Sequence, residues 1–340
     1  MSTLIIMFRY IFVISALVVL TALSGCEKAL GLEEPASDPA SVYEEAWKVI
    51  DQRYALFSVK TVDWKAVHDR FRAELNDKTT PGQLFQVIDN MLETLQDGHV
   101  TLMSPFDTAT YQGFYELFPK NFNSDNLINT YLQNDYHHIG PVIYKIRDNT
   151  GYVYYASFEY DISDAQADSL FQAIKTTKGL IIDVRNNTGG KPANAEKIFQ
   201  RLLPAKQLVR YEVLKKGVGH DELADPSPWY LSPVGSLYRN PVCLLTNRSC
   251  YSTCNDFVLY MSGLPNVKII GDQTGGGGSI PQVYLLRNGW KLQYSSSMTL
   301  SPEKKPVENG IQPDLPIGIN GLDEGRGIDS ILETAYRILQ

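Results

Sequence analysis

The sequence predicts a mixed α/β fold (α+β in arrangement), with a small N-terminal helical bundle ahead of a larger α/β domain. Three observations predict it. Apolar residues recur at helical spacing between residues 42 and 95. From Gly151 onward, short apolar runs alternate with amphipathic stretches, as strands and helices do in an α/β sheet. Residues 179–184 are nearly all apolar, as a strand buried on both faces is.

The bundle is expected over residues 42–102. Val42, Ala46, Val49 and Ile50 share one helical face beside Trp47. Trp64, Val67, Phe71 and Leu75 repeat the spacing, and so do Leu84, Val87, Ile88, Met91, Leu92 and Leu95. Asp63 is placed to cap the second helix, and Thr80-Pro81 to start the third. Gly98 is a typical helix stop. It leaves His99 on a junction with a short strand at residues 100–102, where a side chain can face a cleft.

Residues 103–150 are poorly periodic and rich in Tyr, Asn and Phe, so short strands and loops are expected there. The α/β domain takes residues 151–340. Its expected strands are residues 151–158, 179–184, 208–214, 242–245 and 267–270, with a hairpin around Arg287-Asn288-Gly289. Its expected helices are residues 162–176, 193–203, 253–262 and 329–339. Residues 215–240 read as a polar loop.

Ahead of the fold, residues 1–26 have the make-up of a secretory signal: one charged side chain (Arg9), an apolar stretch, then small residues. The ending Leu23-Ser24-Gly25-Cys26 resembles a bacterial lipoprotein signal. That resemblance implies cleavage before Cys26, lipids on its thiol and new amino terminus, and a place on a membrane of the cell envelope, facing the periplasm. Residues 27–41, with Pro35, Pro39 and scattered charge, read as a tether. The chain has 340 residues, 44% of them hydrophobic, and a net charge of -7, which gives no reason to expect nucleic acid as a partner.

With Cys26 consumed, Cys243, Cys250 and Cys254 remain. An odd number leaves at least one thiol free or paired outside the chain. No second ligand pair lies near Cys250 and Cys254, so no metal is expected, and small buried residues are the better reading.

The chemistry gathers around residues 242–257, an apolar strand that breaks at Thr246-Asn247 and resumes as a helix. Ser252 sits where strand gives way to helix. It reads either as a helix N-cap or as a nucleophile held beside free backbone N–H groups that can stabilise an oxyanion. The stretch Asp183-Val184-Arg185-Asn186-Asn187-Thr188-Gly189-Gly190 follows the most apolar strand. Its glycines suit close approach of a peptide backbone or oxyanion, and it lacks the lysine of a phosphate loop. Asp183 and Arg185 read as a structural pair. Gly275-Gly276-Gly277-Gly278 reads as a loop packed against the Ser252 turn. Of the five histidines, His99 alone has apolar structure on both sides. His68 falls on a polar helix face, and His137, His138 and His220 fall in loops.

Together, Asp97-Gly98-His99, the loop at residues 183–190, the turn at residues 246–257 and the stretch at residues 308–314 resemble the tail-specific, or C-terminal-processing, serine peptidases. The closer likeness is to the branch like the tricorn protease core. The resemblance covers about residues 42–314, with residues 103–148 unmatched. It implies a crotonase-like α/β catalytic domain and hydrolysis of peptides or unfolded proteins without a cofactor, and it admits a homo-oligomer. By position, Ser252 matches the nucleophile, the N–H groups of Thr253 and of Gly189 or Gly190 match the oxyanion hole, and His99 matches the base. Glu308 matches the carboxylate that completes the set. A tail-specific lysine base would stand at Gly277, so a Ser/Lys dyad is excluded.

Gly98 replaces the serine that links histidine to glutamate in the tricorn-like branch, so a water or another hydroxyl would have to bridge Glu308 and His99. Asn255 stands where many relatives carry glutamate. Too few residues lie between His99 and Gly151 for a PDZ domain. The alternative is a binding protein for peptides or apolar ligands on the same fold, with the chemistry lost.

Overall fold

The three N-terminal helices start where the sequence supplies caps. Asp38 accepts the N–H of Ser41 at the head of Pro39–Arg53 (α1), and Asp63 that of Ala66 at the head of Trp64–Arg72 (α2). Thr80 and Gln83 form a capping box on Pro81–Glu93 (α3). The structure is a computed structural model and describes residues 37–340. The signal at residues 1–26, with Cys26, and most of the tether lie outside the described residues. Among the described residues no helix is long and apolar enough to cross a membrane.

After α3 the left-handed residue is Gln96, at φ 49°, whereas Gly98 keeps an ordinary φ. The turn therefore comes earlier than Gly98 suggested. The strands Thr101–Met103 (β1) and Thr108–Thr110 (β2) follow. The poorly periodic segment then holds short helical turns, including a π-helical turn at Leu127–Leu132, before His137–Ile139 (β3) and Val142–Arg147 (β4). His137 and His138 thus lie on a strand rather than in a loop.

The α/β region runs Thr150–Tyr154 (β5), Asp164–Ile174 (α4), Gly179–Asp183 (β6), Pro192–Gln200 (α5) and Gln207–Leu214 (β7). It continues through Ser227–Leu231 (β8), Val242–Thr246 (β9), Thr253–Ser262 (α6) and Val267–Gly271 (β10). The hairpin Pro281–Leu285 (β11) and Lys291–Ser295 (β12) comes next, then Ser297–Leu300 (β13), Leu315–Pro316 (β14) and Ser330–Leu339 (α7). Two strands differ from expectation. β8 lies inside the stretch read as a polar loop, and β13 is separate from the hairpin. β8 is the outer strand of the sheet β13-β7-β8, where Pro228 is tolerated.

The main sheet has seven strands in the order β14-β10-β9-β6-β5-β4-β3. From β14 to β5 neighbours are parallel, while β4 and β3 are antiparallel. Alternation divides its side chains. Leu180, Ile182, Val242 and Leu244 pack under α4, α5 and α6, while Ile181, Cys243 and Leu245 pack under α7 and the turn at residues 127–132. A second core joins α1, α2 and α3 to the sheet β11-β12-β1-β2 through Leu286, Trp290, Leu292 and Tyr294.

One consequence of register positions the site. Ile182 pairs with Leu244 and Asp183 with Leu245, so β6 and β9 end side by side. The loop after β6 and the turn after β9 therefore emerge together at the carboxyl edge of the sheet, where α/β folds place their ligands.

Candidate active site

Ser252 enters α6 at φ 57° and ψ -127°, and its side chain makes no capping bond. The N-cap reading is therefore replaced. A non-glycine residue held at positive φ is strained, and the strain aims the hydroxyl out of the turn. The Ser252 N–H donates to the Gly276 carbonyl at 2.9 Å, so the glycine-rich loop packs on the turn as expected. Ser252 Oγ lies 3.0 Å from His99 Nε2. A separation of 153 residues in sequence thus closes to one hydrogen bond.

His99 is 7% exposed. Burial holds its imidazole below the usual histidine range, with Lys60 adding to the effect and Asp97 opposing it. A neutral ring at neutral pH can accept a proton from the serine. Both residues line a cleft of about 600 Å³, together with Gln112, Tyr115, Thr188 and Pro192.

Two asparagines lock the loop after β6 to the turn after β9. Asn187 Nδ2 donates to the Tyr155 carbonyl at 2.8 Å, and its Oδ1 accepts the Gly189 N–H at 2.9 Å. Asn247 Oδ1 accepts the Asn186 N–H at 3.1 Å, and its Nδ2 donates to Asn186 Oδ1 at 3.1 Å. Gly189, at φ 103°, lies so close that a Cβ there would sit 2.9 Å from Ser252 Cβ and 3.0 Å from Thr253 N. The Gly189 N–H is spent on Asn187. Those of Gly190 and Thr253 carry no hydrogen bond among the described residues. Asp183 and Arg185 do form a buried structural pair, Nη2 to Oδ2 at 2.7 Å, extended by Asp329 Oδ2 at 2.8 Å from Arg185 Nη1.

Glu308 and His99 make no direct contact among the described residues. Glu308 Oε1 pairs with Lys60 Nζ at 3.0 Å, and Oε2 has no partner among the described residues. His99 Nδ1 has none either. Glu308 lines a separate cavity of about 570 Å³. Tyr111, Phe114 and Tyr251 line both spaces and form the wall between them. Burial and the charge of Asp97 outweigh Lys60 and push the Glu308 carboxyl up to about 8.

Tyr251 explains two departures at once. A Cβ on Gly98 would lie 3.1 Å from its ring and 2.6 Å from Phe114 Cε1, and one on Gly277 would meet the same tyrosine. The tyrosine fills the ground of both missing side chains. Asn255 is also accounted for: its Nδ2 donates to the Val307 carbonyl at 3.2 Å and its Oδ1 accepts from Thr274 at 2.7 Å, which pins the Glu308 segment.

Sequence reasoning missed Lys60, Tyr251 and Asp97. Asp97 stands in the Asp97-Gly98-His99 run, but nothing local shows that it is buried and takes four donors. Cys243, Cys250 and Cys254 are free and buried.

The model of peptidase family S41 matches residues 149–317, and that of the tricorn protease C1 domain matches residues 35–93. Among solved structures, a candidate peptidase from Parabacteroides merdae is 39% identical, over 89% of this chain and 97% of that one, with a TM-score of 0.86. The photosystem II D1 C-terminal processing protease is 15% identical, over 83% and 94%, with a TM-score of 0.55. Mature CPAF is 11% identical, over 89% and 96%, with a TM-score of 0.67. For these last two the likeness is one of fold. No protein of curated function matches the sequence significantly.

Proposed function

The chain belongs to peptidase family S41 and is a serine-type peptidase, and from that premise we propose that Ser252 is its nucleophile and His99 its general base. The observation that carries the reading is the 3.0 Å contact between Ser252 Oγ and His99 Nε2. A serine hydroxyl is a poor nucleophile until a neighbouring base takes its proton. Nε2 takes that proton as Oγ adds to the peptide carbonyl. The N–H groups of Thr253 and Gly190 receive the oxyanion, which a preorganised pair of donors stabilises more than it does the ground-state carbonyl. His99 then protonates the leaving amine, and the acyl group stays on Ser252. A water deprotonated by His99 releases it. Glu308 touches Lys60 and makes no direct contact with the imidazole, so a part in these proton transfers would run through the bridge expected from the sequence.

The substrates are peptides or unfolded chains admitted to the cleft in front of Ser252. The protein is tethered through a lipidated Cys26 to a membrane of the bacterial envelope and faces the periplasm, a reading that rests on the Leu23-Ser24-Gly25-Cys26 ending.

A fluorophosphonate probe tests the site. Labelling is expected at Ser252, to be lost in Ser252→Ala and strongly slowed in His99→Ala. Labelling that survives the histidine change at full rate removes His99 as base. Tight ligand binding without turnover of any peptide library would favour a binding protein on this fold. Palmitate incorporation and membrane fractionation test the anchor, and both should disappear in Cys26→Ala.

A further inference from the structure

Asp97 is buried beside His99 and has no part in the scheme above. We propose that Asp97 is the positioning carboxylate of the site, holding the His99 backbone and stabilising the imidazolium formed when Ser252 gives up its proton, the role the family resemblance assigns to Glu308. The proposal rests on the reading of Ser252 and His99 as nucleophile and base.

Its geometry is that of a fixed anion. Asp97 Oδ1 accepts the His99 N–H at 2.8 Å and the Tyr251 hydroxyl at 3.2 Å. Oδ2 accepts the Tyr54 hydroxyl at 3.0 Å and the Ser295 hydroxyl at 2.7 Å. Four donors from separate parts of the chain all point at one carboxylate, and none of these contacts needs Asp97 to carry a proton. Hydrogen bonds to the charged form favour it even when the group is buried.

Glu308 has the opposite surroundings. It is equally buried, but among the described residues its carboxyl has only Lys60 and a backbone N–H at Gly278 to favour its charge, and the nearby Asp97 charge opposes its ionisation. When two neighbouring carboxyls feel each other's charge and their environments drive them apart, one keeps the charge and the other the proton. Asp97 lies below its usual range, helped by His99, Lys60 and Ser295 against the cost of burial, while Glu308 lies above its own. The carboxylate that is charged at neutral pH is thus the one next to the imidazole.

The other groups around His99 are Lys60, which opposes a charged ring, and Tyr251, with ring centroids 5.0 Å apart. Tyr54 and Glu308 stand behind Asp97. Because His99 Nδ1 has no partner among the described residues, Asp97 acts through the backbone bond and through its field. A direct bond to the ring is not needed, since an imidazolium in a water-poor interior feels a nearby charge strongly.

Asp97→Asn is the test. The amide oxygen can still take the His99 and Tyr251 donors, and the amide nitrogen can donate to the two hydroxyls on the other side. Peptide turnover is followed against pH, beside Glu308→Gln. In Asp97→Asn, kcat is expected to fall on the order of 100-fold, a typical scale for general-base support, with KM within about threefold. The acidic limb of kcat/KM moves to lower pH, because the charge that raises the imidazole is gone. Glu308→Gln leaves that limb in place. Ser295→Ala, which withdraws one donor from Asp97 and touches neither His99 nor Ser252, loses activity with kcat falling and KM held.

An unchanged limb and kcat in Asp97→Asn, or a collapse in Glu308→Gln alone, overturns the proposal and leaves the serine–histidine reading standing. Should Asp97→Asn fail to fold, an unaffected Ser295→Ala overturns it equally. A wild-type protein that neither turns over peptides nor labels at Ser252 removes the reading and the proposal together.

Discussion

A Cβ on Gly277 would lie 2.3 Å from Cζ of Tyr251, whose ring stands where a lysine base would have to reach the serine. Gly277 is also at φ 79°, which a side chain makes costly. Gly277→Lys is therefore expected to lose about 1–3 kcal/mol of stability through overpacking, and to gain no lysine-dependent activity. Thermal melting and probe labelling check this. A variant as stable as the parent and active without His99 would show that the tyrosine gives way.

Gly98→Ser restores the residue type found in the tricorn-like branch, yet it should not restore a relay. Its Cβ would meet Phe114 Cε1 at 2.6 Å and Tyr251 at 3.1 Å. The expected result is a loss of about 1–3 kcal/mol in urea unfolding and a lower kcat. Adding Phe114→Ala should recover part of the stability. A higher kcat in the single variant would mean that serine finds a route between Glu308 and His99.

Glu308 makes stability depend on pH. Its carboxyl is raised from 4.5 to about 8 in the fold. A group raised by folding contributes fully below its unfolded value, and that contribution is lost as pH climbs through the folded value. Stability should therefore decline between about pH 5 and pH 8. In Glu308→Gln the decline should be shallower, as read from urea midpoints at both ends of that window. An equal slope in both proteins would put the charge elsewhere.

Arg185 is buried between Asp183 and Asp329. Arg185→Met leaves two carboxylates buried without their cation, a change that typically costs about 3–5 kcal/mol. Because the same arginine sits at the root of the loop carrying Gly189 and Gly190, activity should fall with stability. Chemical denaturation and labelling rate measure the two. A variant with full stability would show that one of the acids takes up a proton at no cost.

Legibility followed the range over which a signal acts. The caps of α2 and α3 and the buried β6 and β9 depend on neighbours a few residues apart, and capping residue types and continuous apolar runs reveal them. The pairing of Ser252 with His99 rested on the resemblance, since nothing local links the two. β8 was hidden because Ser227-Pro228-Trp229-Tyr230-Leu231 lacks alternation and carries a proline that only an outer strand accepts. Gln96 was overlooked because a glycine stood nearby in the same turn. The environment of Glu308 could not be read at all, since Lys60, Asp97 and Tyr251 come from three distant stretches and their balance decides the charge.

That Asp97 takes its donors from Tyr54 at the end of α1, from Tyr251 before α6 and from Ser295 at the end of β12 bears on how the chain matures. A half-folded intermediate can own a serine and an imidazole and still lack the anion's cradle, which exists only after both cores have docked. Such an intermediate would be a poor protease at the very stage when neighbouring unfolded copies are most vulnerable to it. If Asp97 holds the site as proposed, competence would switch on last, as a by-product of assembly.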